Sequence, residues 1–329
     1  MKKSLIALAV LAASGAAMAQ SSVTLYGRAD VNYTWDNYGT PGFKQNSGGL
    51  GGSRIGFRGV EDLGNGLKAG FVVETGYNVD STSTATSLGN RQSFLSLSGG
   101  FGELRFGRQY TLNDVFAGTY GGAHGTVWSN AGTVISSNGT RNSNAATYIS
   151  PNFSGFKVTA QAATKEEYTD AVGGGARAPY ALGLDYANGP VGIGFTASKN
   201  GVAGDDAIYQ IGGSYNFGPV ALIAAYEYDK NKDDEAAYTA GVKVPLGATT
   251  IRATYGVVDQ ASAASGRSGS QSLFLGQKVK VAGLGADYKL SKRSTVYAGY
   301  AYVKGETGSA ATDGKKTLNQ VIVGFDHWF

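Results

Sequence analysis

Cysteine is absent from this chain, which excludes disulfide frameworks and thiolate chemistry and fits an envelope protein that folds without oxidation. No stretch beyond the N-terminus offers the roughly eighteen consecutive apolar residues that a transmembrane helix needs. Histidine occurs twice, at His124 and His327, and neither has neighbours at the spacing of a zincin or a hydrolytic triad. Charge is nearly balanced: the formal net charge is +4, of which Lys2 and Lys3 contribute two. So small a surplus does not argue for nucleic acid as a partner. Nucleotide motifs are also missing. The run Gly308 to Lys316 has one residue too many for a phosphate loop and lacks its closing Ser or Thr, and Gly173, Gly175 and Ala178 mimic a dinucleotide fingerprint inside a polar loop. No cofactor, metal or catalytic group is therefore expected.

What the chain has is glycine, tyrosine and alternation. With 51 Gly and 20 Tyr against only 6 Pro, the composition suits many twisted strands joined by turns. Met1-Lys2-Lys3, the apolar stretch Leu5 to Ala13 and the small residues Ala17 and Ala19 around Met18 read as a secretory signal peptide over 1–19. That leaves 20–329 as one exported domain. A mean hydropathy of −0.15 decides nothing, because a transmembrane β-barrel hides its apolar positions by alternating them with polar ones.

Period-2 segments recur over 23–34, 53–60, 66–77, 90–98, 102–109, 144–150, 156–162, 179–186, 191–198, 207–217, 220–228, 236–244, 249–258, 279–289, 294–303 and 318–329. Short turns and longer polar loops alternate between these sixteen segments, the layout of an outer-membrane barrel. Proline cannot donate to a ladder, and the prolines fall in links or at a strand start: Pro151, Pro190, Pro219 and Pro245 in short turns, Pro41 in the first long loop, Pro179 at the start of a strand. A secreted sandwich alternates in the same way, but sixteen strands are many for one sandwich. The C-terminus is the most informative stretch. Val321, Val323, Phe325, His327 and Phe329 share one face, and Gln320, Ile322, Gly324, Asp326 and Trp328 share the other. An apolar strand ending the chain would leave an unpaired edge, unless it pairs with Val23 to Tyr33 and closes the sheet. The expected fold is all-β, a 16-stranded antiparallel transmembrane barrel.

Parity then sorts the charges. A lipid-facing Arg or Lys near the bilayer midplane costs about 2–4 kcal/mol, so strand arginines should face the lumen. Ile55 and Phe57 outward place Arg54 and Arg58 inward; Phe94 outward would place Arg91 inward; Tyr148 outward puts Arg141 on the inward parity. Glu74 and Asp30 have inward parity nearby. Arg28, Lys68, Arg105, Lys157, Lys243, Arg252 and Glu227 read as solvated wall. Aromatics near strand ends, among them Tyr33, Tyr186, Tyr215, Tyr226, Tyr288 and Tyr300, suit girdles at the two membrane interfaces. Outward positions Gly27, Ala29, Gln92, Ser96 and Ser98 are small or polar, which suggests a subunit interface rather than a lipid surface.

Five stretches carry a more specific signal: Ser21 to Asp30, Ser53 to Gly76, Asn90 to Tyr110, Arg141 to Val158 and Val321 to Phe329. Together they resemble the general diffusion porins of Gram-negative bacteria, in particular the neisserial and β-proteobacterial branch. The resemblance implies a homotrimer in the outer membrane, with short periplasmic turns, long extracellular loops and a third long loop folded into the lumen. It implies an arginine cluster, here Arg54, Arg58, Arg91 and Arg141, facing carboxylates on that loop across a constriction. The loop would run from about Tyr110 to Thr140, where Asp114 is its only carboxylate, so the basic side should dominate and small anions should be modestly favoured. It also implies that the last strand, with Phe325, His327 and Phe329, is the signal read by the barrel-assembly machinery. Outer-membrane lipid and lipopolysaccharide would surround the barrel, and the acidic stretch Asp229 to Glu235 would be a solvated loop or a site of divalent bridging to lipopolysaccharide. The expected function is passive diffusion of small hydrophilic solutes and ions. A substrate-selective porin is the nearest alternative, and a barrel hydrolase built on His124 and Asp114 a remote one.

Overall fold

The computed structural model describes residues 22–37, 42–81, 87–121, 134–135, 139–165, 177–199, 201, 206–230, 235–259, 274, 276–308, 312 and 314–329. The N-terminal segment read as a signal peptide lies outside them.

The chain forms one antiparallel sheet. Its strands are β1 (Ser22–Asp36), β2 (Gly42–Ser47), β3 (Arg54–Gly64), β4 (Leu67–Gly76), β5 (Gln92–Gly99), β6 (Gly102–Tyr110), β7 (Arg141–Ile149), β8 (Phe156–Ala163) and β9 (Tyr180–Asn188). They continue with β10 (Val191–Lys199), β11 (Ile208–Asn216), β12 (Ala221–Asp229), β13 (Glu235–Leu246), β14 (Thr249–Val258), β15 (Val279–Lys289), β16 (Ser294–Lys304) and β17 (Thr317–Trp328). One helix, α1 (Leu112–Tyr120), follows β6. From β3 to β17 each strand pairs with the next, and β17 returns to β1 in the register Arg28↔Trp328 to Asp36↔Gln320. Phe329 completes the seam: Gly27 N donates to Phe329 O at 3.0 Å, and Phe329 N donates to Gly27 O at 3.1 Å. The sheet is a closed barrel.

Seventeen strands make sixteen staves. The lower half of β1, Ser22 to Arg28, pairs with β3, while its upper half, Val31 to Asp36, pairs with β2. β2 and β3 are therefore two pieces of one stave, interrupted at Gly48 to Ser53. Sequence periodicity begins that stave at 53, because the glycine run hides the upper piece. Links at one rim are short, as at 65–66, 100–101, 189–190 and 247–248, and those at the other rim are longer, as at 77–91 and 259–278. Pro245 stands in the last turn-side residues of β13 rather than beyond it.

Alternation builds both surfaces. Ile55, Phe57, Leu182, Ile193, Ile211, Leu284, Val321, Val323 and Phe325 are exposed on the outer face. Tyr33, Tyr186, Tyr215, Tyr226, Tyr288 and Tyr300 are exposed there too, which suits the interfacial girdles. Inward positions such as Thr196, Gln210, Glu227, Thr239, Thr254 and Asp287 are polar and covered. β5 reverses its expected parity: Leu95 is 67% exposed and outward, while Phe94 faces inward with the Arg105 guanidinium 5.2 Å from its ring centre. Gln92 and Ser96 consequently point into the lumen beside Arg105. Both Phe94 and its neighbours Leu95 and Leu97 are apolar, so alternation alone does not choose between the faces. The proposed small, polar outer surface on β5 is thereby overturned.

Leu284→Arg on the outer face of β15 should destabilise the barrel in lipid vesicles by about 2–4 kcal/mol. The lumen-facing change Thr250→Arg on β14 should stay within about 0.5 kcal/mol. Urea titrations followed by tryptophan fluorescence would measure both.

Candidate functional site

The lumen is narrowed from two sides. One side is α1, whose N-cap Thr111 accepts a hydrogen bond from Asp114 N at 3.1 Å and donates from its hydroxyl to Gly139 O at 2.7 Å. That second bond, with Thr111 N to Thr140 O at 3.1 Å, clasps the root of the third long loop so that the chain turns inward. Leu112, Phe116 and Tyr120 recur at helical spacing and are buried, whereas Val115 is exposed. The buried stripe lies on the inner wall of β9 to β12. Glycine makes room for it: a Cβ at Gly212 would stand 2.6 Å from Tyr120 Cβ, and one at Gly194 would overlap the Tyr120 ring.

Facing α1 is a chain of charged groups. Glu74 on β4 accepts from Arg91 Nε at 2.8 Å and lies 4.0 Å from Arg54 Nη1. Its other oxygen accepts from Tyr26 Oη at 3.2 Å. Tyr110 Oη accepts from both Arg91 Nη2 at 2.6 Å and Arg141 Nη2 at 3.2 Å, and the Arg141 guanidinium sits 4.6 Å from the Tyr110 ring centre. Below them, Arg28 pairs with Asp326 across the seam at 2.6 Å, and Arg28 and Arg54 both lie over the Trp328 indole, at 4.9 and 5.8 Å. The positive charge exceeds the negative. Arg54 and Arg91 share one carboxylate, and among the described residues Arg141 makes no ion pair while its Nε is buried without a partner. Burial raises the Asp114 carboxyl to about 6, against the opposite pull of Arg141 and Arg91.

The structure thus gathers Arg54, Arg91, Arg141, Glu74 and Asp114 around one opening. Arg91 reaches it by a bend just before β5 rather than by strand parity. Arg58 stands apart, four residues down β3 and about 13 Å toward the short-turn rim, stacked 5.2 Å from the Tyr26 ring centre. Asp30 does not face the opening: it is fully buried and bonded to Tyr297 Oη, Leu50 N and Gly51 N, so it is withdrawn from the set of groups a passing solute meets. Phe325 and His327 lie on the outer face, where His327 Nδ1 is 2.9 Å from Ser294 Oγ; the Phe329 ring lies against Gly27. His124 lies outside the described residues, as do most of the stretch between Asp229 and Glu235 and the two pseudo-motifs in part or whole. Sequence reasoning missed Tyr110, Trp328 and Tyr297, aromatics whose polar edges serve the lumen, and the inturned glycine run.

The profile of the Gram-negative porin family matches residues 5–308. The chain belongs to that family. Outer membrane porin protein 32 of Delftia acidovorans is 40% identical over 222 residues, covering 62% of each chain. A major outer membrane protein P.IB of Neisseria meningitidis is 45% identical over 130 residues, or 36% of each. The matched stretches thus span about three fifths or less of the curated relatives' length. Among solved structures, an anion-selective porin from Comamonas acidovorans superposes with a TM-score of 0.73 at 26% identity, over 94% of this chain and 100% of that one. Family and closed barrel together place this porin in the outer membrane.

Because α1 fits against bare glycine, Gly194→Leu should undock it at a cost of about 1–3 kcal/mol. Single-channel recordings should then show a shifted conductance and a noisier open level relative to Ser198→Ala higher on the same strand.

Proposed function

We propose that this porin is a passive, water-filled channel for small hydrophilic solutes and ions, with a modest preference for anions. A barrel of sixteen staves leaves an aqueous lumen, and the observation that carries the preference is the arginine surplus at its narrowest part. Two guanidinium groups share Glu74, and among the described residues the third, that of Arg141, makes no ion pair. In a narrow, partly dehydrated passage, fixed positive charge lowers the barrier for anions relative to cations. The structural neighbour described as an anion-selective porin supports the same reading.

A substrate-selective channel would need polar groups left open for its solute. A cavity of about 170 Å³ under α1 is lined by Gln109, Gln161, Thr147, Thr159 and Arg105, but its polar groups largely serve one another. Gln161 Nε2 donates to Tyr110 O and Thr147 Oγ1, both at 3.0 Å, Gln109 donates to Ala145 O at 3.2 Å, and Arg105 pairs with Glu103 at 2.9 Å. That pattern favours the general channel. The hydrolase alternative rested on His124 beside Asp114, and the family is one of channels.

The trimer implied by the family is supported by an uneven outer wall. Exposed tyrosines mark the outer face of β9, β11 to β16 and β1, whereas β3 to β6 expose Ile55, Phe57, Leu95 and Phe106. A wall without polar-tipped aromatics suits contact with another copy better than a water–lipid interface. The assembly-signal role of the last strand and export by a cleaved leader belong to the same reading.

In planar bilayers under a KCl gradient, the wild type should show large ohmic steps and an anion-leaning reversal potential, and Arg54→Ala with Arg91→Ala should reduce that lean. Cation preference untouched by the double substitution would overturn the reading. Acidification gives a second test. Above pH 6 Asp114 is mainly ionised and offsets part of the basic surplus; as pH falls through about 6 it takes up a proton, while arginine stays charged. Anion preference should therefore rise between pH 7.5 and 5, and Asp114→Asn should show the higher value at both.

A further inference from the structure

The stave broken between β2 and β3 does not bulge outward; it turns into the lumen and is held there by one buried carboxylate. Asp30 Oδ2 accepts from Leu50 N at 2.7 Å and Gly51 N at 3.0 Å and pairs with Arg28 Nη2 at 3.5 Å, and Asp30 Oδ1 accepts from Tyr297 Oη at 2.6 Å. The Asp30 backbone joins in: its carbonyl accepts from Gly48 N at 2.8 Å and its N–H donates to Ser53 Oγ at 3.0 Å. Leu50 packs on Tyr297 and Ile322, an apolar foothold on an otherwise polar wall.

The glycines on either side of Leu50 let the segment come close to its neighbours. A Cβ at Gly49 would overlap Tyr297 Oη, one at Gly51 would overlap Arg28 Nη1, and one at Gly52 would stand 3.0 Å from Arg91 Nη1. The segment is therefore wedged among the arginines of the opening. It also steers one of them, since Arg54 Nε donates to Gly52 O at 2.9 Å.

We propose that Gly48 to Gly52 is a second constriction element, separate from the loop carrying α1, and that Asp30 is the positioning residue that holds it and, through it, the guanidinium groups of Arg54 and Arg91. This rests on the channel reading above. Asp30 is fully buried, so no solute touches it, and its influence on permeation is geometric. Loss of its two acceptor bonds to Leu50 and Gly51 frees the segment to swing out, which widens the opening and lets Arg54 leave the ion path.

The geometric role and a purely electrostatic one predict opposite signs. Removing a negative charge near the opening without moving anything would strengthen anion preference. Releasing the wedge raises conductance and weakens anion preference. Asp30→Ala, Leu50→Ala and Tyr297→Phe would be recorded in planar bilayers beside the wild type, with heat-modifiable gel migration on each sample to select folded barrels. Leu50→Ala carries no charge change and keeps the test open where Asp30→Ala does not fold. The expected result is higher conductance and a reversal potential closer to zero in Asp30→Ala and Leu50→Ala, with a smaller shift in Tyr297→Phe, which keeps the ring under Leu50. Unchanged conductance in folded Leu50→Ala, or stronger anion preference in folded Asp30→Ala, would overturn the proposal. Absence of ohmic steps from folded wild-type protein would instead overturn the channel reading itself.

Discussion

In hydrocarbon there is no water to satisfy a stray backbone amide or carbonyl, so every stave must have a neighbour on both sides. The rest of this structure depends on that demand. It requires the last strand to find the first, and Phe329 helps to meet it by exchanging both backbone hydrogen bonds with Gly27. The seam is reinforced on the lumen side by Arg28 bridging to Asp326 and lying over Trp328. Closure also makes the alternation strict, because a one-residue slip would carry the lumen's charges into lipid.

A closed wall transfers all irregularity to its interior and its rims. The interior is wet, so a stave can break there without orphaning its backbone, provided something in the lumen receives the freed donors. Asp30 does this for Leu50 and Gly51, and Thr111 does it for the loop that carries α1. Both inturned pieces are anchored by an apolar side chain on a bare patch of wall, Leu50 on Tyr297 and Tyr120 over Gly212. Burying such side chains contributes about 1.5–3 kcal/mol each, comparable to what a short unpaired segment loses in ordering a few residues. Small changes at these footholds therefore act on the opening before they act on the barrel.

This asymmetry explains what could be read in advance. Stave positions, closure and the facing of Arg54, Glu74 and the last strand follow from period-2 alternation, which the membrane enforces. β5 was misread because Phe94 and Leu95 are both apolar, and a vestibule wide enough to hold a phenyl ring under Arg105 removes the penalty that would have marked Phe94 as outward. The upper half of the broken stave was hidden because five residues rich in glycine carry no period. Asp30 had the right parity and the wrong role: facing inward does not mean facing water when another part of the same chain folds over it.

The chemistry of the opening follows from how its charges are shared. A guanidinium matched by carboxylates presents little field to a passing ion, as with Arg28 between Asp326 and Asp30. Arg54 and Arg91 divide a single Glu74, and Arg141 leans on a phenol instead of an acid. Tyr110 can hold two arginines in place because its oxygen accepts hydrogen bonds without cancelling their charge, and its ring offers Arg141 a face to stack on. Arginine suits this task better than lysine, since its planar fork can spend one N–H on Tyr110 and keep others for the lumen. The opening thus keeps its cations rigid and under-neutralised at once, and Asp114, whose burial leaves it only weakly acidic, sets how far that imbalance extends near neutral pH.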